Sequence, residues 1–332
     1  MKLKRVIPLF AATAACTLGA VPMATAATDV QQASSENWSG YVAGGANSST
    51  QFKSVSGSWV APTANCTQGQ AYSAFWVGLG GAGQNHALEQ AGTEADCSSG
   101  GAASYFAWYE LVPAAPVKIN MAIHPGDHMF SRVTVSGSNV TIALSDQTTG
   151  ASFNRTLQMS NPDVSSAEWI AEAPSQCAQT TSDCTPLSLA DFGKVTFTGA
   201  SATTVGGHTG TISDPAWSAS AVTLSPSASG MGFASYSGGS ATGSAGATPS
   251  GLSTDGSSFS VSWTPASTDV SGSAGGGSGY GYGAGGYGPG GYGYGDGGYG
   301  GYGAGGYGYG GGGYIYPGDG GFIYIPGIYS LS

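Results

Sequence analysis

The chain has 332 residues, only 8% of them charged, and its formal net charge at neutral pH is −10. A chain this acidic has no basic patch that could bind phosphate groups, which excludes nucleic acid and anionic membranes as partners. A fold with few ion pairs also loses little stability when its carboxylates are protonated, which suits work at low pH.

The first residues have the pattern of a secretory signal peptide. Lys2, Lys4 and Arg5 precede a short apolar run, and a small-x-small cleavage site ends at Ala26. The run is too short for a membrane anchor, which needs about 20 apolar residues. We therefore predict that residues 1–26 are removed on export and that the mature protein is extracellular, without a membrane partner.

Four cysteines remain after removal of this signal: Cys66, Cys97, Cys177 and Cys184. An even number in an exported chain indicates disulfides, although four cysteines permit three pairings. Proximity in sequence favours Cys66–Cys97 and Cys177–Cys184. A zinc site is the competing interpretation, but the chain has no tight Cys-x-x-Cys or paired histidines, so we expect no metal.

Residues 36–265 consist of short alternating runs of polar and apolar residues, separated by glycine, proline, asparagine and aspartate. Clear examples are residues 54–60, 132–136, 140–144, 194–197 and 258–263. No long stretch has helical periodicity. Many short strands with frequent turns predict an all-β fold, an antiparallel, jelly-roll-like β-sandwich. About 230 residues suffice for one such domain, preceded by a short leader at 27–35.

Residues 266–332 have a different composition, dominated by repeated Gly-Tyr units. Glycine at this density costs much entropy to order and offers little surface to bury, which predicts a disordered low-complexity tail. Its tyrosines offer stacking groups for self-association or for contact with a cell wall. A passive appendage is the alternative.

Two segments carry side chains suited to hydrolysis. Gln90 lies in LEQAGT (88–93), shortly after FWVG (75–78), and Glu172 ends AEWIAE (167–172). Further segments accompany them in order: NWSGYV (37–42), GSWVAP (57–62), AWYE (107–110), PGD (125–127) and LADFG (189–193). Together they resemble the glutamic peptidases, the eqolisin family of acid endopeptidases. The tail lies outside this resemblance.

The resemblance implies that Gln90 and Glu172 are catalytic and that Trp76 lines the same cleft. Glu110 is expected to be a cleft or buried carboxylate and a candidate for contact with substrate. Glu172 would take a proton from the water that attacks the scissile carbonyl and return it to the leaving nitrogen. The Gln90 amide would donate to the oxyanion, a contact typically worth about 3–4 kcal/mol. The family also implies a protein or peptide substrate, no cofactor, and insensitivity to pepstatin.

Base catalysis at acid pH requires Glu172 to be a carboxylate. An unperturbed glutamate is only about 5% ionised near pH 3. A hydrogen bond from the Gln90 amide would favour the charged form and lower the pKa. We therefore expect Gln90 to donate to Glu172 and the acid limb of activity to report this glutamate.

Two other functions compete with a peptidase. Glu168 and Glu172 share a face if their segment is a strand, so the residues alone do not distinguish them. The pair resembles the two carboxyl groups of jelly-roll glycoside hydrolases, although Ile170 stands where those enzymes carry Asp. The family alignment favours Glu172. The other alternative is a catalytically silent surface module, binding or structural, which the tail and Gly80 favour.

Gly80 is a departure from the fungal family members, which commonly carry Asp at this position. Those members also have a sizeable propeptide, whereas fewer than a dozen residues separate Ala26 from Asn37 here. Both features resemble the bacterial branch of the family.

Overall fold

The computed structural model describes residues 30–44, 48–82, 87–177, 184–225 and 245–266, together with the backbone of Ile323–Tyr324. The predicted signal peptide and almost all of the predicted tail lie outside these residues. Within the described part of the chain, no helix is long and apolar enough to cross a membrane.

Regular structure in the described residues is almost entirely β, apart from a short 3₁₀ helix at Cys66–Gln68. The strands, in chain order, are β1 (Gln31–Ser35), β2 (Trp38–Gly44), β3 (Phe52–Val60), β4 (Ala74–Gly80), β5 (Leu88–Cys97), β6 (Ala103–Val112), β7 (Val117–Ile119), β8 (His128–Ser136), β9 (Asn139–Asp146), β10 (Ser152–Gln158), β11 (Ser166–Glu172), β12 (Ser175–Cys177), β13 (Cys184–Pro186), β14 (Lys194–Thr204), β15 (Thr209–Gly210), β16 (Ala219–Leu224), β17 (Gly246–Pro249), β18 (Phe259–Thr264) and β19 (Ile323–Tyr324).

Most of these strands follow one hydrogen-bonded path, in the order β10-β9-β8-β3-β14-β18-β17-β16-β2-β11-β4-β5-β6-β7. The path folds back on itself, because β3 packs on β4 and β11 while β8 packs on β4 and β5. We call the half from β16 to β7 the site layer. The neighbours along the path are antiparallel, and the predicted β-sandwich is confirmed. Strand β1, within the predicted leader, adds a parallel partner to β16.

Strand β11 shows how alternation creates two faces on the site layer. Trp169 points into the main core between the layers, where its indole N–H donates to the Ser56 carbonyl of β3 at 2.8 Å. The next residue, Ile170, belongs to a second apolar cluster on the opposite, outer face. Successive strand residues point to opposite sides, so Glu168 and Glu172 share this outer face with Ile170. The predicted common face of the two glutamates is thus present.

The predicted disulfide between Cys66 and Cys97 is confirmed and joins the 3₁₀ helix to the end of β5. Cys177 and Cys184 pair directly through their backbones in the β12–β13 hairpin. Their side chains lie outside the described atoms, so the second disulfide stays a prediction. Strand β12 also pairs with β19 from the end of the chain.

Gly92 permits a close approach between β5 and β4. A Cβ atom added there would lie 2.1 Å from the Phe75 carbonyl oxygen and 2.6 Å from the Trp76 Cβ. Relief requires backbone movement, so we expect Gly92→Ala to lower the free energy of unfolding by about 3 kcal/mol or more. Urea denaturation at acid pH measures this loss.

Gly251 provides the matched control for this substitution. A Cβ at Gly251 would meet nothing within 4 Å. Gly251→Ala should therefore change the free energy of unfolding by less than about 0.5 kcal/mol. A Gly92→Ala protein as stable as this control would contradict the close approach of the two strands.

Candidate active site

The outer face of the site layer holds three cross-strand rows of side chains, set by the registers of β2, β11, β4, β5 and β6. The rows are Trp38–Glu172–Ala74–Glu94–Phe106, Gly40–Ile170–Trp76–Gly92–Trp108 and Val42–Glu168–Gly78–Gln90–Glu110. Directly paired residues project on the same side of a sheet. The fold therefore brings Gln90, Glu172, Trp76 and Glu110 to one face.

Glu172 is fully buried, and both of its carboxyl oxygens accept hydrogen bonds. The Asn37 Nδ2 donates to Oε1 at 3.0 Å, and the Trp76 indole N–H donates to Oε2 at 2.7 Å. Burial raises the pKa of Glu172 to about 8, and hydrogen bonding to Trp76 and Asn37 offsets only part of this rise. Neutral donors thus surround a carboxyl group that is itself neutral at acid pH.

Gln90 does not donate to Glu172, so our prediction of that hydrogen bond is wrong. Its Nε2 donates instead to the Glu110 Oε2 at 2.7 Å. The reason is register: Glu110 stands directly opposite Gln90 on β6, whereas Glu172 lies two strands away and in another row. The predicted lowering of the Glu172 pKa is wrong as well, because desolvation exceeds the effect of its hydrogen bonds.

Glu110 is bonded to Gln90 and is also near enough to Glu172 to be affected when Glu172 ionises. Burial raises the pKa of Glu110 well above its usual value, the Gln90 hydrogen bond lowers it, and the charge of Glu172 raises it again. An interaction between the Glu110 and Glu172 carboxyl groups requires that they lie close together in a site of low dielectric constant. No hydrogen bond joins Gln90 to Glu172 in the described structure, so an intervening molecule would have to bridge them.

Two further acids on this face were not among the predicted site residues. Glu94 and Asp96 lie on β5, four and six residues after Gln90, and both are buried. Burial raises the pKa of Glu94 well above its usual value, as do the charges of Asp96, Glu172 and Glu110. Burial also raises the pKa of Asp96 to about 8. Their even spacing from Gln90 on a strand was a signal that could have found them.

Asn37 and Trp38 are the other residues that sequence reasoning left out of the site. Both lie in the segment that carries the family resemblance, and both are fully buried against Glu172. Asn37 stands immediately before β2, and its neighbour Ser35 donates to the Asn37 Oδ1 at 3.1 Å. This contact leaves the Asn37 amide nitrogen to donate to the glutamate.

Glu168 has a separate set of neighbours from Glu172. Burial raises the pKa of Glu168 well above its usual value, and the charges of Asp163 and Glu89 raise it further. Ile170, fully buried, occupies the face between the two glutamates. An apolar side chain between the acids is poorly suited to the cooperation of two carboxyls that glycoside hydrolysis requires.

Gly80 has a structural reason to lack a side chain. Its φ is +85°, a conformation that favours glycine, and a Cβ would lie 2.5 Å from the Asp163 Cβ. The Asp163 carboxylate accepts from the Gly81 N–H at 3.3 Å, next to this position. An aspartate in place of Gly80 would therefore collide with Asp163.

The fold and the face just described define a class: a β-sandwich with a buried glutamate and a buried Gln–Glu pair on one sheet. Residues 36–230, more than half of the chain, match the Peptidase A4 family. The chain belongs to this family, the glutamic peptidases or eqolisins.

Individual proteins agree with this assignment. Aspergillopepsin-2 from Aspergillus niger is 33% identical over 177 residues, which are 51% of this chain and 58% of that protein. The chain thus spans less than two thirds of that relative. The crystal structure of scytalido-glutamic peptidase with a transition state analog inhibitor has a similar fold, with a TM-score of 0.51 and 24% identity. That match covers 69% of this chain and 98% of the other.

Proposed function

We propose that this protein is an exported glutamic endopeptidase that hydrolyses peptide bonds at acid pH and is insensitive to pepstatin. Glu172 and Gln90 are the proposed reacting groups. The observation that carries the proposal is the buried Glu172 carboxyl, held by neutral donors on the same sheet face as the Gln90 amide. Membership of the Peptidase A4 family supports the reaction class.

The proposed chemistry uses the neutral form of Glu172, because burial keeps its proton in acid. Its carbonyl oxygen accepts a proton from a water molecule as the water oxygen bonds to the scissile carbon. Its O–H delivers a proton to the carbonyl oxygen, which yields a neutral diol. Glu172 then gives its proton to the nitrogen and takes one from a hydroxyl of the diol, so that the C–N bond breaks, the C=O bond re-forms, and a carboxylic acid and an amine leave.

Gln90 has the complementary role in this scheme. Its Nε2 carries two hydrogens, and Glu110 occupies only one of them. The other can donate to the carbonyl oxygen of the substrate as negative charge develops there. Gln90 and Glu172 are both fully buried, so a peptide reaches them only after the side chains around the face move apart.

Export is proposed on two grounds. Residues 1–26 have the composition of a signal peptide, and the Cys66–Cys97 disulfide is of a kind that persists in oxidising compartments. Protein or peptide is the proposed substrate, and the tail is proposed to be dispensable for its cleavage.

The test is cleavage of denatured casein by protein collected from the medium of expressing cells, with and without pepstatin. The N-terminus of this material also checks removal of residues 1–26. We expect cleavage in acid that persists with pepstatin, and a loss of about 10²–10³-fold in kcat for Gln90→Ala. Gln158→Ala, an exposed glutamine on β10, is the matched control and should retain activity.

Three results would reject this function. Cleavage that pepstatin blocks would point to an aspartate pair, and an active Gln90→Ala protein would remove the proposed donor. A folded protein that cleaves nothing throughout the acid range would favour the silent binding module instead.

A further inference from the structure

The closest polar contact of Gln90 is with another side chain of the site layer. Gln90 and Glu110 are directly paired on β5 and β6, both are fully buried, and 2.7 Å separates the Gln90 Nε2 from the Glu110 Oε2. A hydrogen bond so short in a buried site restricts rotation of the amide about its terminal side-chain bond.

Each member of the pair also has one oxygen without a partner. The Gln90 Oε1 and the Glu110 Oε1 are buried, and no described residue donates a hydrogen bond to either atom. Buried acceptors are costly when unsatisfied. A charged Glu110 could not remedy this, because a carboxylate has no proton to donate. A neutral carboxylic acid has one.

We propose that Glu110 is a positioning residue for Gln90, a neutral acid whose O–H donates to the Gln90 Oε1 while its other oxygen accepts from Nε2. The resulting two-bond pair holds the amide plane and satisfies both acceptors. One Nε2 hydrogen then remains as the only free donor of Gln90, available to the substrate carbonyl. This inference rests on the proposed function, which assigns Gln90 to that carbonyl.

The outer face has few positive charges that could stabilise an ionised Glu110. The titratable groups there come from three strands: Glu94 and Asp96 on β5, Glu168 and Glu172 on β11, and Lys118 on β7. Four of the five are acids, and the effect of Lys118 falls on Glu94 and Asp96. Burial raises the pKa of Glu110 well above its usual value, which agrees with a bound proton in acid.

Two substitutions of Glu110 distinguish the positioning of Gln90 from a need for a charged carboxylate and from direct substrate binding. Glu110→Gln supplies an acceptor and a donor at the positions of the neutral acid, so kcat should stay close to the parent value. Glu110→Leu removes both bonds, and a loosened catalytic group costs about 10²-fold in kcat. KM should change little in either variant, because Glu110 acts through Gln90 and not on the substrate.

Glu89→Gln is the matched control for loss of a buried carboxyl. Glu89 is adjacent to Gln90 in sequence and equally buried, but its Oε1 accepts from the Asp163 N–H. This variant should retain its kcat. An inactive Glu110→Gln protein would show that the carboxylate charge is needed, and an active Glu110→Leu protein would show that the contact is not; either overturns the inference. A rise in KM alone would assign Glu110 to substrate binding and would overturn it too.

A measurement on the intact protein covers the case in which Glu110→Leu fails to fold. In protein labelled with ¹³C at glutamate carboxyls, the resonance missing from Glu110→Gln belongs to Glu110. We expect it to show a protonated carboxyl at pH values well above the ordinary glutamate pKa of about 4.3, where a glutamate in an unfolded peptide is ionised. Ionisation at the pH where a glutamate in an unfolded peptide ionises would overturn the inference even if peptidase activity is confirmed. Absence of peptidase activity would instead reject the proposed function and leave this resonance unchanged.

Discussion

The β-sandwich should lose stability steeply as the pH rises from about 4 to about 8, where many acid-sensitive proteins become more stable. Six buried carboxyl groups of the site layer cause this behaviour, because burial raises the pKa of each. They are Glu89, Glu94, Asp96, Glu110, Glu168 and Glu172.

The sign follows from proton binding. Below the unfolded pKa, 4.5 for Glu172 and 3.8 for Asp96, both the folded and unfolded states are protonated and stability is complete. Above it the unfolded chain releases its protons, while the folded state keeps them until about pH 8. The folded state therefore binds more protons throughout this window, and its free energy of unfolding falls as the pH rises.

The expected magnitude is large. Each carboxyl removes up to about 1.4 kcal/mol per pH unit within its window. Two such groups remove several kcal/mol over two units, against a typical total stability of about 5–15 kcal/mol. Opposing ion pairs are few: the described salt bridges are His124–Asp127 and His208–Asp214, and both histidines are exposed.

Thermal unfolding as a function of pH measures this effect, with Tm expected to be highest in acid. Asp96→Asn should make the decline of stability with pH less steep, because the variant has one fewer buried carboxyl group that can release a proton on unfolding. Asp255→Asn is the control, because Asp255 is exposed and hydrogen bonds from Ser253 and Ser257 lower its pKa. A Tm that is constant or rises from acid to neutral pH would contradict the assignment of these buried carboxyls as protonated.

Glu172→Gln should abolish most activity and yet make stability less sensitive to pH. Glutamine cannot exchange the proton that the proposed reaction needs, a loss of about 10²–10⁴-fold in kcat. Glutamine also cannot ionise. Unfolding of the variant therefore releases one proton fewer, and its stability declines less steeply as the pH rises. In acid the variant should be somewhat less stable, because its NH₂ group faces a donor, either Asn37 or Trp76.

Lower activity together with a retained fold whose stability depends less on pH shows that Glu172→Gln has lost a reacting group and has not simply unfolded. Tm and kcat are measured on the same samples across pH, beside Glu168→Gln. Glu168 lies on the same strand and face and is equally buried, but its neighbours are Asp163 and Glu89. That variant should flatten the stability curve and keep its activity. The reverse pattern, with Glu168→Gln inactive and Glu172→Gln active, would reject Glu172 as the reacting acid.

Alternation along the chain predicted much of this architecture. The run from Ala167 to Glu172 places every second residue on one face, which is why Glu168 and Glu172 were correctly predicted to share it. The ordered segments around Gln90 and Glu172 predicted the family, and the short alternating runs predicted the sandwich. Proximity in sequence predicted the Cys66–Cys97 disulfide, since closing a shorter loop costs less entropy.

Cross-strand register was beyond the reach of these patterns. The hydrogen-bond partner of Gln90 depends on which residue of β6 stands opposite it, and that residue is Glu110. The Glu172 pKa was predicted to fall because a single hydrogen bond was considered. Its direction is set instead by desolvation, which depends on every neighbour that excludes water from the carboxyl.

The amino-acid sequence by itself determined the all-β class, the family, and the two segments that meet at the site, because strand periodicity and local motifs are properties of short stretches. The tertiary structure alone decided that Asn37 and Trp76 donate to Glu172, that Gln90 donates to Glu110, and that burial raises the pKa of the acids on this face. Those outcomes depend on register and burial, which arise only when strands distant in the chain pack against one another.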